Sequence, residues 1–249
     1  QMKPDGLRSE QSPMKALILS DLHSNIVALE TIWAREHDSD LIYCTGDLVD
    51  YGLYPKEVMD WVRAHQVICT QGNHDRYVAL IYRSAPAFDT LPVAERSWVH
   101  YNAHRLDEAD IQFLEQLPVA LTFDLDGLSY GLTHLYRDYE EIRSSHAFTQ
   151  FCAATFPQVN SLERRILGHT HRQCIHYLSN TTLWMNPGSI SYRRQDDPDQ
   201  TAHYMTITDG TIAFQRVAYD VGKVYQAVQQ VQVKETEAKV AHWFFGARE

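Results

Sequence analysis

Five times along this sequence an apolar run of strand length stops at a cluster of Asp, Asn or His. ALILS leads into Asp21-Leu22-His23, LIYCT into Gly46-Asp47, and VICTQ into Gly72-Asn73-His74-Asp75. YGLT leads into His134, and RRILG into His169-Thr170-His171. This repetition constrains the fold more than any other feature. In a twisted α/β sheet the carboxyl ends of the strands converge on one crevice, where ligands bind. Five elements would then aim Asp, Asn and His at one place. Residues i and i+2 of an extended segment point to the same face. Asp21 and His23 are therefore expected to grip one ion together, as are one or both of His169 and His171. Gly46, Gly72 and Gly168 stand just before the polar residues, where the backbone must turn tightly and approach closely.

The intervening patterns fit that frame. Residues 14–20 and 41–45 read as buried strands and 66–70 as a third. Between them, 24–37 and 55–65 read as helices. The first carries Ile26, Leu29, Ile32 and Trp33 on one face, and the second starts with Pro55, whose missing N–H costs nothing in a first turn. Strand, helix, strand, helix, strand predicts an α/β unit with a parallel sheet. Residues 74–117 and 138–157 read as mainly helical. Residues 119–134 read as two strands around Asp126-Gly127, a hairpin signal. Further hairpins are expected over 173–186 and over 202–217, the latter around Asp209-Gly210, with a last helix at 221–233. The β-rich second half predicts a second sheet packed on the first. The expected organisation is a flexible leader at 1–13, one domain over 14–235, and an uninformative tail at 236–249.

Composition narrows the function. The 249 residues are 44% hydrophobic, enough for one well-buried core. A net charge of −10 argues against long DNA or RNA, whose binding is driven by Lys and Arg releasing counterions. A small phosphate compound held by a metal stays compatible, because a cation reverses the local charge. Cys44 and Cys69 lie in apolar runs and no CxxC pair occurs, which predicts reduced thiols and a cytoplasmic protein. Residues 1–13 lack the apolar stretch of a signal peptide. No run of 18 apolar residues exists, so neither a membrane-spanning helix nor a membrane partner is expected.

In this order, DLH (21–23), GDLVDYG (46–52), GNHD (72–75), the His of LTH (132–134) and GHTH (168–171) resemble the calcineurin-like metallophosphoesterase superfamily. NPGS (186–189), with Arg194 and Asp197-Pro198 beyond it, resembles more narrowly the small YfcE-like phosphoesterase branch. The resemblance runs over about 14–235. It implies an α/β fold of two packed mixed β-sheets flanked by helices, an αββα sandwich. It also implies two divalent transition-metal ions, Mn²⁺ foremost, with Fe, Zn²⁺, Ni²⁺ or Co²⁺ compatible with mixed N and O donors. Asp21, His23, Asp47 and His171 would hold the first, and Asp47, Asn73, His134 and His169 the second, with Asp47 bridging. The implied activity is hydrolysis of a small phosphate mono- or diester by a metal-bridging hydroxide. His74 would act as general acid at the leaving oxygen, and Asp75 would orient it. Arg194 would contact phosphate.

Other readings stay open. A protein Ser/Thr phosphatase or a dinucleoside polyphosphate hydrolase would use the same ligands. A non-catalytic metal-bound scaffold would keep the fold, although His74 is present here. Ser24, Asp50, Leu53 and the segment 135–140 depart from the family's usual residues and bear on the substrate pocket. Tyr51, Tyr54, Tyr136 and Tyr139 could rim that pocket or simply pack. His100 and His104 are spaced i, i+4, but without an HExxH pattern they read as an ordinary helix surface.

Overall fold

The structure is a computed structural model that describes residues 14–137, 139–159, 163–191 and 200–246. Strand β1 (Lys15–Leu19) is followed by α1 (Ile26–Glu36), β2 (Leu41–Cys44), α2 (Pro55–Ala64) and the short β3 (Ile68–Cys69). β1 pairs parallel with β2, and β2 with β3. Side chains alternate across β1. Leu17 and Leu19 pack under α1 and α2 with Leu29, Ile32, Val58 and Met59, whereas Ala16 and Ile18 face the other way.

A helical layer follows: α3 (Asn73–Ser84), α4 (Trp98–Ala103) and α5 (Glu108–Gln116). Asp107 caps α5, accepting the backbone N–H of Asp110 while Asp110 reaches back to the N–H of Asp107. The hairpin of β4 (Ala120–Leu125) and β5 (Leu128–Thr133) opens the second sheet. The helical segment expected over 138–157 contracts to α6 (Ser145–Thr155), with Ser144 as its cap. Ahead of it the chain is pinned in irregular form, the Trp184 indole N–H donating to the carbonyl of Ile142. β6 (Arg164–Ile166), β7 (Cys174–Tyr177) and β8 (Leu183–Asn186) complete that sheet in the order β4-β5-β6-β8-β7.

The last hairpin, β9 (Thr201–Thr208) and β10 (Thr211–Ala218), does not join the second sheet. β9 runs antiparallel to β1 and extends the first sheet to β10-β9-β1-β2-β3. Among the described residues there are thus two mixed five-stranded sheets. Ala16, Ile18, Tyr43, Met205 and Ile207 of one pack against Tyr130, Leu132, Ile166 and Met185 of the other. Phe148 of α6 covers the outer face of the second sheet with Leu167 and Trp184. This is the expected helix–sheet–sheet–helix layering.

The chain then forms α7 (Val221–Val228) and a further helix, α8 (Glu235–Phe245), in the segment read from sequence as an uninformative tail. Ala241, Phe244 and Phe245 are buried against Val224, Val228, Trp98 and Tyr101. Their i, i+3, i+4 spacing was a usable helix signal. Cys44 and Cys69 sit opposite each other on β2 and β3 as free thiols. No described helix is long and apolar enough to cross a membrane.

Candidate metal centre

The turn after β1 lies alongside the turn after β2. Backbone N–H groups of Asp21, His23 and Ser24 donate to the carbonyls of Gly46, Asp47 and Leu48, each at 3.0 Å. This lacing holds an unusual backbone. Asp21, His23, Asp47, His169 and His171 all have φ between +43° and +66°, the left-handed region that non-glycine residues seldom occupy. The expectation that Asp21/His23 and His169/His171 share a face of extended chain is therefore corrected. The ligands are aimed by single left-handed residues, and His169 and His171 diverge into different clusters.

The first cluster is Asp21, His23 and His171; the second is Asp47, His134 and His169. In each, one ligand atom per residue lies within 4.8 Å of the others. In the first, His171 Nε2 is 3.1 Å from Asp21 Oδ1 and 3.3 Å from His23 Nε2. In the second, His134 Nε2 is 3.1 Å from Asp47 Oδ2. Asn73 Oδ1 lies 3.1 Å from His134 Nε2 and 3.0 Å from His169 Nδ1. Asp21, His23, Asp47 and His134 are buried. The seven residues expected as ligands thus fall into these two clusters, with Asn73 beside the second and Asp47 placed in the second alone.

The donor set fits divalent cations. His134 Nδ1 donates to the carbonyl of Thr45 at 3.0 Å, which leaves Nε2 turned toward the cluster. Metal-binding imidazoles are fixed in this way by their second nitrogen. Burial would raise the Asp21 carboxyl, but His171 beside it carries it down to about 2. Burial likewise opposes the ionisation of Asp47, yet His134, His74 and His23 hold it well below the usual carboxylate range. Burial pulls His23 down to about 3, so its ring is neutral. Burial also disfavours the charged form of His134, but Asp47 outweighs it and raises His134 to about 9. Two ionised carboxylates and the neutral ring of His23 are donors that N/O-type divalent metal sites use, and His134 would join them by shedding its proton.

NPGS braces these turns. Asn186 Nδ2 donates to the carbonyl of Gly168 at 2.7 Å, and Ser189 Oγ to the carbonyl of Asp21 at 2.8 Å. Gly72 is required by close approach, since a Cβ there would collide with the backbone N and carboxyl of Asp47.

His74 opens α3 and donates its own backbone N–H to Asp47 Oδ1 at 2.8 Å. Its ring is oriented by Asp50, not by Asp75: His74 Nδ1 lies 2.8 Å from Asp50 Oδ2. Burial lowers His74, but the bond to Asp50 and the charge of Asp47 raise it to about 9. Asp75 cannot reach His74, because its carboxylate is turned back into the protein. It accepts the N–H groups of Leu48, Gly72, Asp47 and Val49 at 2.7–3.3 Å. Burial and then the charge of Asp47 push it up to about 6. Asp50 was visible in the sequence only as a departure from the family's usual residue.

Of the tyrosines, Tyr51 lies 4.8 Å from the His74 ring and Tyr139 stacks at 4.9 Å on His169. Tyr136 packs on Phe151, and Tyr54 belongs to the apolar cluster under α7 and α8. Tyr77, 5.7 Å from His74, and Phe244, 5.9 Å from His23, were not anticipated. His100 bonds Ser97 Oγ and His104 bonds the carbonyl of Pro86, as ordinary helix residues do. Arg194 lies outside the described residues.

The sequence profile of the calcineurin-like phosphoesterase superfamily domain matches residues 14–210. Protein MJ0912 of Methanocaldococcus jannaschii is 25% identical over 232 residues, which is 88% of this chain and 93% of that one. The crystal structure of a metallophosphoesterase from Sphaerobacter thermophilus is similar with a TM-score of 0.69 and 25% identity, covering 92% of this chain and 99% of that one. The hypothetical protein PH1004 of Pyrococcus horikoshii has the same fold, with a TM-score of 0.71, 16% identity and coverage of 95% and 100%.

Proposed function

Because the chain belongs to the calcineurin-like phosphoesterase superfamily, we propose that it is a dinuclear metal-dependent phosphoesterase that hydrolyses a small phosphate mono- or diester. The observation that carries this reading is the pair of adjoining Asp/His clusters with the His74 ring beside them. Asp21, His23, Asp47 and His171 would hold one divalent ion, and Asp47, Asn73, His134 and His169 would hold the other, Mn²⁺ foremost. When bound, the ions supply Lewis acidity toward the phosphoryl oxygens and make a water acidic enough to attack at neutral pH.

The remaining work falls to this chain's own side chains. Asp50 holds Nδ1 of His74, so that the protonated ring presents Nε2 to the leaving oxygen. The proton on Nε2 passes to that oxygen as its bond to phosphorus breaks. Asp75 keeps the Asp47 turn closed against Gly72, which fixes the Asp47 carboxylate. Arg194 is proposed as a phosphate contact.

Purified protein loaded with Mn²⁺ tests this reading on p-nitrophenyl phosphate and bis-p-nitrophenyl phosphate, beside Asp47→Asn. Wild type is expected to cleave at least one ester, and the variant to lose both that activity and its metal. Two bound ions with no hydrolysis of any phosphate ester would sink the proposal.

A further inference from the structure

A cleft of about 400 Å³ adjoins His74. None of the seven ligand positions lines it; its lining includes Tyr51, Tyr77, Leu80 and Ile81 with the polar Asp50, His74, Lys234 and Glu237. Small-molecule sites span roughly 300–1,000 Å³ and are mostly apolar with a few polar groups. A general acid must stand within hydrogen-bond reach of the oxygen it protonates. Whatever is attached to that oxygen therefore lies next to His74, and this cleft is the space the chain leaves there.

The lining selects the kind of group. Tyr51 and Tyr77 flank the His74 ring at 4.8 and 5.7 Å. Tyr77 and Leu80, spaced i, i+3 on α3, are 50% and 62% exposed. Large apolar side chains are thus turned to solvent beside a buried reactive centre. The cations in the cleft are both matched: Lys234 faces Glu237 at 3.8 Å and His74 faces Asp50 at 2.8 Å. That balance does not suit a second phosphate, which calls for unmatched cations.

Part of the wall lies outside the stretch that the family profile matches. Lys234 and Glu237 come from the start of α8, beyond residue 210 where the family profile ends. Phe244 of the same helix packs 4.7 Å from Tyr51 and sets that ring's position. Glu237 anchors the helix by accepting the backbone N–H of Trp98.

We propose that this cleft binds the leaving group, and that the substrate is a phosphate ester whose leaving alcohol carries a planar ring of nucleobase size. The assignment rests on the phosphoesterase reading. In the step, water forms the new bond to phosphorus, the bond from phosphorus to the leaving oxygen breaks, and His74 delivers the proton to that oxygen. The alcohol released is a nucleoside or an aryl alcohol of similar size.

The test compares adenosine 5′-phosphate with ribose 5-phosphate, which share the same leaving hydroxyl and differ in the base. Their methyl diesters replace them if the nitrophenyl assay shows a diesterase. Wild type with Mn²⁺ is expected to prefer the adenosine ester by roughly tenfold in kcat/KM, the effect of one base on an aromatic ring. Tyr77→Ala should bring that ratio close to one, mainly through KM, and Tyr77→Phe should keep it. A wild-type ratio near one, or a ratio that survives in both Tyr77→Ala and Leu80→Ala, overturns the assignment while leaving the phosphoesterase reading intact. Loss of nitrophenyl ester hydrolysis in metal-loaded wild type overturns both.

Discussion

His74 Nδ1 and Asp50 Oδ2 lie 2.8 Å apart, and the two residues come from different turns. Asp50 is in the turn after β2, at φ +82°, and His74 is in the first turn of α3. The contact fixes the ring's tautomer and favours its protonated form. Asp50→Asn keeps the shape and removes the charge. It is expected to lower kcat by about 10²-fold or more on esters of poorly acidic alcohols. It should cost far less on p-nitrophenyl esters, whose leaving group needs no proton. The alkaline limb of the pH–rate profile should move to lower pH, because the group that raises His74 is gone. Equal losses on both ester types, with an unmoved limb, would mean that Asp50 only shapes the turn.

Asp75 should behave differently despite its neighbouring position. Its carboxylate satisfies four buried backbone N–H groups. Asp75→Ala leaves them unpaired, and each buried unsatisfied donor costs about 1–3 kcal/mol. The variant is expected to lose several kcal/mol in urea unfolding of the metal-free protein, roughly the sum of two such donors. Asp50→Asn should lose little in the same experiment. Similar unfolding curves for the two variants would contradict these separate roles.

Metal-free and metal-loaded protein should answer pH in opposite ways. The pairing with Asp47 raises His134 from its ordinary 6.5 to about 9 in the folded state. A raised folded pKa contributes stability that is complete below the unfolded value and is lost as pH rises through the folded one. Metal-free protein should therefore lose melting temperature between about pH 6.5 and 9. Ligands must shed protons to bind metal, so affinity for Mn²⁺ should rise over the same range. Thermal scans with and without Mn²⁺ across that window read both trends, and parallel curves would refute the linkage.

Gly72→Ala tests the closeness of two turns. The added methyl would meet both the backbone N and the carboxyl of Asp47. Metal stoichiometry should fall and the metal-free protein should weaken by at least about 1–3 kcal/mol, the usual cost of overpacking. Gly127→Ala is the control, because nothing lies within 4 Å of a Cβ there, although its φ of +76° carries its own small strain.

The residues of the two clusters were legible in the sequence because strand ends and polar clusters coincide locally, five times over. The pairing of His74 was not. Asp50 and Asp75 are both aspartates near a turn, and only the crossing of the turns decides which one faces the ring. The β9–β10 hairpin was visible through its turn at Asp209-Gly210, but its partner strand β1 lies nearly two hundred residues earlier. Turn chemistry carries no information about that partner. α8 was missed because its polar residues dilute a three-residue apolar face. The left-handed backbone was hidden because Asp and His tolerate it without announcing it, whereas glycine would have done so.

That backbone has a consequence for anyone who would reshape the protein. Left-handed residues cost about 1–3 kcal/mol each when they carry a side chain, and five of the seven ligand candidates adopt that conformation. Glycine at His23 or His171 would relax the chain and remove its chemistry in the same stroke. Searches for hardier variants under heat alone would drift toward such inert molecules. Selection must ask for turnover and thermal endurance together, or it will reward the erasure of the site.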